Sequence, residues 1–451
     1  MKPGMPGNEA EGTKSGQPGC LDPCQRAAVE WGPAACRADR AGSAGLWQVP
    51  AIVREQLYLT FRSLRHGNFR LYCTGQLVSL SGTWMQNLAL NWLVFRLTKS
   101  AWMLGLVSFA SLAPTLILGL AGGWIADRFD RRKIMLCTQT LAMSQSILLA
   151  FLTLTHRLEI WQALLLTAFL GSVNAFEIPA RQALIVNMVE KEDLVNAVSL
   201  NSSLFHSCRT LGPALAGLLV GAVGEGYCFA LNAVSYLAAL IAIAVIRLPG
   251  VDRRHILNGQ SESLLAAIRF ALTTPSVRDL LALTAVASLF AMQYLMLMPV
   301  FASDVLHRQV GALGALTAGA GVGSCLAALS LANRGSSKFL KKGVGWACLA
   351  FAGALALFTL SQHLYLSIAL VTLVGFFMTI QLSGSHSLLQ LAVSDGQRGK
   401  LMSIYMMTMM GMVPLGSLII GWAAHRWGAP NALTVSSAVC AASAFFYLMR
   451  R

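Results

Sequence analysis

The sequence predicts an all-α membrane protein of twelve transmembrane helices, arranged as two pseudo-symmetric bundles of six. Three observations predict it. In composition, 55% of the 451 residues are hydrophobic and only 12% are charged, and the mean hydropathy is +0.60, values too apolar for a water-soluble chain. The chain also holds uncharged runs long enough to cross a hydrocarbon layer of about 30 Å, the clearest being residues 102–126 and 134–155, of 25 and 22 residues. Finally, with the amino terminus placed in the cytoplasm, 22 Lys and Arg fall on cytoplasmic loops and flanks against 5 on the other side. That bias sets membrane orientation and puts both termini inside. It also accounts for the net charge of +15 without a nucleic-acid partner.

In chain order, residues 1–58 are rich in Gly, Ala, Pro and charge. They lack the apolar core of a secretory signal and are expected to form a disordered cytoplasmic tail. Cys20 and Cys24 lie there without a second pair or a His cluster, so no metal site is expected. Residues 59–246 form the first bundle, with spans near 71–95, 102–126, 134–155, 161–178, 196–223 and 226–246. Residues 247–278 are the longest polar interruption and read as a cytoplasmic linker. Within it Leu264, Leu265, Ile268 and Leu272 mark one face of a helix lying along the membrane surface. Residues 279–451 form the second bundle, with spans near 279–303, 310–332, 343–361, 363–386, 401–424 and 429–449.

The bundles echo each other: Val189 before the fifth span matches Val393 before the eleventh, and Gly212, Pro213, Gly217 and Gly221 correspond to Pro414, Gly416 and Gly421. An internal repeat produces such an echo. Seven of the ten cysteines fall within spans, as small apolar residues and not as a disulfide framework.

The run at 123–133, GWIADRFDRRK, joins the second and third spans through a very short, basic loop. Its acid, Asp127, sits at the membrane boundary, where a carboxylate needs a partner or a helix end. The pattern Gly123-x3-Asp127-Arg128-x-x-Arg131-Arg132-Lys133 resembles the loop signature between the second and third helices of the major facilitator superfamily. Asp130 stands where that family usually has a second glycine, a variant similar to the drug- and siderophore-exporter branch. The run RTLGPALAGLLVG, 209–221, resembles the fifth-helix motif of proton-coupled antiporters of the superfamily. Together with FEIPARQALIVNMV and RGKLMSIYMM, it is similar to the enterobactin-exporter-like, transmembrane secretion effector branch over roughly residues 62–449. The resemblance implies a secondary transporter working by alternating access, with helices 1, 4, 7 and 10 around a central cavity. In it Gly123, Gly212, Gly217 and Gly221 allow close helix contact, Pro213 bends the fifth helix, and Arg128, Arg131 and Arg132 sit at the cytoplasmic face.

Arg209 is the one cation inside a span, and a cation at that depth faces a cavity or a partner. Glu177 and Arg181, four residues apart, share one face if the fourth helix continues through Pro179. Acids at membrane depth are few, so Glu177 is a candidate proton carrier, or a gate exchanging partners with Arg181 and Asp127. Polar and aromatic side chains on the expected cavity helices are Trp84, Gln86, Asn87 and Asn91, then Asn174, then Gln293 and Tyr294, then Phe376 and Gln381. That lining is poor in acids and suits a bulky, amphipathic or anionic solute. The methionines at 402, 406, 407, 409, 410 and 412 read as packing of the eleventh span.

No catalytic constellation accompanies His206, and no phosphate-binding glycine loop occurs, so neither an enzyme nor direct use of ATP is expected. No cofactor is expected either. The reading is a monomeric proton-coupled exporter of a siderophore or drug-like molecule in a bacterial inner membrane. Uptake by the same fold, and a membrane sensor or scaffold without turnover, are the alternatives.

Overall fold

The computed structural model describes residues 61–246, 264–333, 337–393 and 395–450. The expected tail, residues 1–58, and most of the linker lie outside them. The described residues are helical almost throughout. The helices are α1 (Gly67–Thr98), α2 (Ala101–Arg128), α3 (Arg131–Leu154), α4 (Ile160–Val186), α5 (Leu194–Val223) and α6 (Glu225–Val245). A short helix, Leu264–Thr273, follows at the expected linker position. Then come α7 (Pro275–Val305), α8 (Val310–Asn333), α9 (Ser337–Leu360), α10 (Leu364–Leu391), α11 (Asp395–Trp427) and α12 (Ala429–Met449).

Among the described residues, ten helices are long and apolar enough to cross a membrane. The sequence count of twelve also includes α1 and α5, which at 32 and 30 residues are long enough but too polar for that criterion. Their polar residues include Gln76, Gln86, Asn87 and Asn91 on α1 and His206 and Arg209 on α5.

Several helices extend a turn or more beyond the apolar runs, and a few begin on polar caps. Asp130, the residue at the departure from the loop signature, is one: its Oδ1 accepts the Arg132 amide at 2.9 Å and caps α3. The largest correction is to α4, which does not end at 178 but runs through Pro179 to Val186. Pro179 cannot donate to the Ala175 carbonyl. That carbonyl is instead the nearest atom of α4 to Gly122 of α2. Gly122, not the expected Gly123, is therefore the point of closest α2–α4 approach, and Gly123 has open space where a Cβ would stand.

The first six helices pack mainly as α1 with α5 and α6, α2 with α4, and α3 with α4 and α6. The last six pack as α8 with α10, α9 with α10 and α12, and α11 with α7 and α12. The two sets meet along α5–α8 and α2–α11. Both seams are built on glycine. A Cβ at Gly217 would sit 2.8 Å from the Gly314 Cα, and one at Gly421 3.0 Å from the Gly105 Cα, so backbones touch with no side chain between them. Gly221, expected in the same role, meets only Val310 at an ordinary 3.7 Å.

These seams lie toward one end. There a single buried core runs continuously through both sets, from Leu88 and Leu104 to Leu297, Leu355 and Leu433. At the opposite end, which carries the α2–α3 and α4–α5 connections, the core divides. One cluster holds Phe69, Tyr72, Met135 and Leu184 of the first six helices, and another holds Leu280, Leu389, Tyr405 and Tyr447 of the last six. The sets are thus joined at one end and parted at the other, here called the basic end.

Candidate functional site

Where the seams stop, α1, α5, α7 and α8 surround a cavity of about 640 Å³, counting the part open at its mouth. Its lining includes Trp84, Asn87 and Asn91 of α1, Arg209 and Pro213 of α5, Tyr294 of α7, and Thr317 and Ser324 of α8. Four of the residues expected at the cavity, Trp84, Asn87, Asn91 and Tyr294, come together there, and Arg209 joins them. The α8 hydroxyls escaped the sequence reading, since single Thr and Ser residues in a Gly- and Ala-rich span give no pattern.

Arg209 is the charge of this site. Its guanidinium lies 5.6 Å from the Trp84 ring centroid, in cation–π range. Trp84 is in turn held edge-on by Phe205, at 5.6 Å between ring centroids. Among the described residues no carboxylate lies within ion-pairing distance of Arg209, and no acid lines the cavity. Pro213, one turn on, leaves the Arg209 carbonyl without its helical donor. Gly212 lets α5 close on α1, where a Cβ would meet that of Trp84 at 2.5 Å. The motif thus sets the cation against an aromatic face and leaves its fork of donors for a ligand.

The other expected lining residues serve packing. Gln86 is 1% exposed and belongs to a buried network of α1, α3 and α6. Its amide donates to Gln145 Oε1 at 3.1 Å, and its carbonyl accepts from Ser146 Oγ at 2.7 Å and Asn232 Nδ2 at 2.9 Å. Gln293 donates to the Ser288 and Val413 carbonyls at 3.0 and 3.2 Å, tying α7 to α11. The Ser288 carbonyl sits in a π-helical stretch, Ala287–Ala291, where the regular ladder is broken. Phe376 pairs with Phe377 at 5.3 Å, Gln381 is buried in α10, and Asn174 is half-buried in α4; none of the three borders the cavity.

At the basic end the charged residues divide into separate sets. Glu177 and Arg181 pair at 3.6 Å across one turn of the uninterrupted α4. Asp127 joins neither; it is exposed at the end of α2. The loop cations cap helices instead: Arg131 donates to the Ala183 carbonyl near the end of α4 at 3.3 Å, and Arg132 donates to the Ile243 carbonyl at 3.0 Å and to that of Ala244 at the end of α6. Cations suit those carbonyl-rich ends. Arg128 lies over the Trp124 ring, 4.4 Å from its centroid.

A second cluster, unmarked in the sequence reading, straps the start of α1 to the start of α5. Asp193, its side chain 1% exposed, takes Arg62 at 2.7 Å, Arg65 at 2.9 Å and His66 at 2.8 Å. The His66 hydrogen bond and the two guanidinium groups hold its carboxyl below the usual range. At the far end Arg96 forks onto Glu225 at 2.9 and 3.2 Å, the acid sitting in the first turn of α6 where the helix dipole favours it.

A largely helical membrane fold, with a cavity between its two sets of helices that holds a cation and amides among apolar walls, is that of a multi-pass membrane transporter. The chain belongs to the transmembrane secretion effector family of the major facilitator superfamily, which it matches over residues 59–451. It is 26% identical over 379 residues to a staphyloferrin A transporter of Staphylococcus aureus, covering 82% of this chain and 93% of that one. It is 23% identical over 362 residues to the enterobactin exporter EntS of Citrobacter koseri, covering 79% and 85%. Among solved structures, a bacterial homolog of the human lysosomal transporter Spinster, inward-facing and unoccupied, superposes with a TM-score of 0.68 at 14% identity over 85% of this chain and 96% of that one. These are transporters and not enzymes; the setting is the lipid bilayer and the cargo a small molecule.

Proposed function

We propose that the protein is a proton-coupled exporter of a small organic molecule bearing an acidic group, siderophore or drug-like in size, working by alternating access. The observation that carries this is Arg209: a cation with no ion-pair partner among the described residues, facing a cavity without acids and flanked by Trp84, Asn87, Asn91 and Tyr294. An anionic group on the cargo supplies the missing partner, and the aromatic and amide groups hold the rest.

In this reading α1 and α5 cross the membrane as well, which gives twelve spans in two pseudo-symmetric bundles, 59–246 and 279–451. The basic end is cytoplasmic, both termini lie inside the bacterial inner membrane, and the protein works as a monomer. The split core at the basic end then makes this conformation open to the cytoplasm, the state that loads an exporter. Glu177, buried beside Arg181, is the proton carrier; protonation breaks its bond to Arg181 and frees that cation. The relatives include both an exporter and a transporter of siderophores by name, which supports the cargo class.

The test is uptake into energised inverted membrane vesicles, with a carboxylate siderophore, a catecholate siderophore and a cationic dye as cargoes. Accumulation of an acidic cargo that a protonophore abolishes is expected, and Glu177→Gln should stop gradient-driven accumulation while leaving exchange. Accumulation of the cationic dye alone overturns the assignment of cargo. Acidic cargo moving only in right-side-out vesicles establishes uptake instead.

A further inference from the structure

On the outer face of the first six helices, away from the cavity, α2, α3 and α4 enclose an open groove of about 1430 Å³, counting its open side. Phe129, Cys137, Leu141 and Phe169 are exposed along it, with Val173 and Phe176 behind them. It runs along α3 from Lys133 to Leu141, eight residues or about 12 Å of helix. It therefore starts at the membrane boundary and reaches toward the middle of the hydrocarbon layer, and its walls at depth are apolar.

The mouth is charged. Arg128 and Lys133 border it, both exposed. The Arg128 guanidinium is steadied over Trp124, and Lys133 has no ion pair or side-chain bond among the described residues. The acid on the rim, Asp130, spends one carboxylate oxygen on the cap of α3. Two cations against one acid leave a net positive rim above an apolar slot.

We propose that this groove binds an anionic phospholipid, its phosphate held between Arg128 and Lys133 and one acyl chain lying along α3 against Leu141 and Phe169. A solute from water would leave the apolar length of the groove unfilled, and a neutral lipid would leave the cations without a partner. Basic pockets between membrane helices recognise anionic headgroups in this way, each nearby cation adding about fivefold to binding. The proposal requires only the membrane setting and is independent of the cargo and of its direction of movement.

Native mass spectrometry of the full-length protein in detergent, with phosphatidylglycerol or phosphatidylcholine of the same acyl chains added, tests it. Wild-type protein should retain phosphatidylglycerol at least about fivefold better than phosphatidylcholine. The double variant Arg128→Gln/Lys133→Gln should retain the two alike. Should that variant fail to fold, Lys133→Gln alone removes a side chain with no internal bond and should still cut the preference several-fold. Cys137→Trp fills the slot and should reduce retention of both lipids. Equal retention of the two lipids by wild type overturns the proposal, as does an undiminished preference in the cation variants.

Discussion

At the scale of single residues, Arg209 and Asp193 pose opposite electrostatic problems. Arg209 is a cation without an anion among the described residues, so its fork remains available to a ligand. Hydrogen bonds to a charged group contribute about 1.5–3 kcal/mol each. Arg209→Gln should therefore weaken binding of an acidic cargo about ten- to hundredfold while leaving the detergent-solubilised fold intact, as isothermal titration and a thermal melt would show together. Asp193 is an anion held by two guanidinium groups and a hydrogen bond to His66. Its folded pKa lies below that of the unfolded chain, about 3.9, so its contribution to stability is present above that value and is lost as pH falls through the lower folded one. The difference in melting temperature between wild type and Asp193→Asn should shrink as pH falls below about 4. A difference that persists undiminished down to about pH 2 would contradict the assignment. Arg209 was legible in the sequence because a cation in an apolar run must face a cavity or a partner. Asp193 was not, since Arg62 and Arg65 were fully explained as topological charge and their partner lies more than a hundred residues away. Glu225 and Arg96 escaped for the same reason: single charges at span ends carry no pattern.

At the scale of elements, the helices were legible from length and hydropathy, but their inner faces were not. Apolar content marks a membrane helix on every side, so it does not tell a lipid face from a bundle face. That is why Gln86 was expected at the cavity, although its bonds run to α3 and α6; Gly123 was named and its neighbour Gly122 was not because the resembled loop motif begins at Gly123. Continuation of α4 through Pro179 depended on packing against α2, which a local rule about proline does not contain. The Gln86, Gln145, Ser146 and Asn232 network predicts its own cost. Asn232→Leu removes both hydrogen bonds that join α6 to Gln86 and Ser146; Gln86 Oε1 keeps the Ser146 hydroxyl, so the cost is that of two lost bonds, about 0.5–1.5 kcal/mol each. A melting temperature lowered by several degrees is expected, against little change for Leu237→Ala on the exposed face of α6. Equal melts for wild type and Asn232→Leu would show the network to be dispensable.

At the scale of the molecule, the repeat in sequence foretold two related halves but not which way they lean. The lean depends on four glycines, Gly105 with Gly421 and Gly217 with Gly314; of these Gly217 was expected to allow close helix contact and Gly421 was named only as its counterpart in the repeat. Gly105→Leu would place a Cβ 2.5 Å from the Ser417 carbonyl, so it should hold the α2–α11 seam apart and lower transport sharply, whereas Gly311→Leu, whose Cβ meets nothing within 4 Å, should leave transport unchanged. Equal transport by Gly105→Leu and wild type would rule out a working part for this close seam. The Arg209 guanidinium, without an ion pair among the described residues, has one further consequence, felt by the membrane voltage. An empty carrier presents a positive charge to the field while it reorients, whereas a carrier holding a monoanion presents none. A unit charge crossing the full drop gains or loses about 2.3 kcal/mol per 100 mV, so membrane potential acts on the unloaded return step and leaves the loaded step of such a cargo electrically silent.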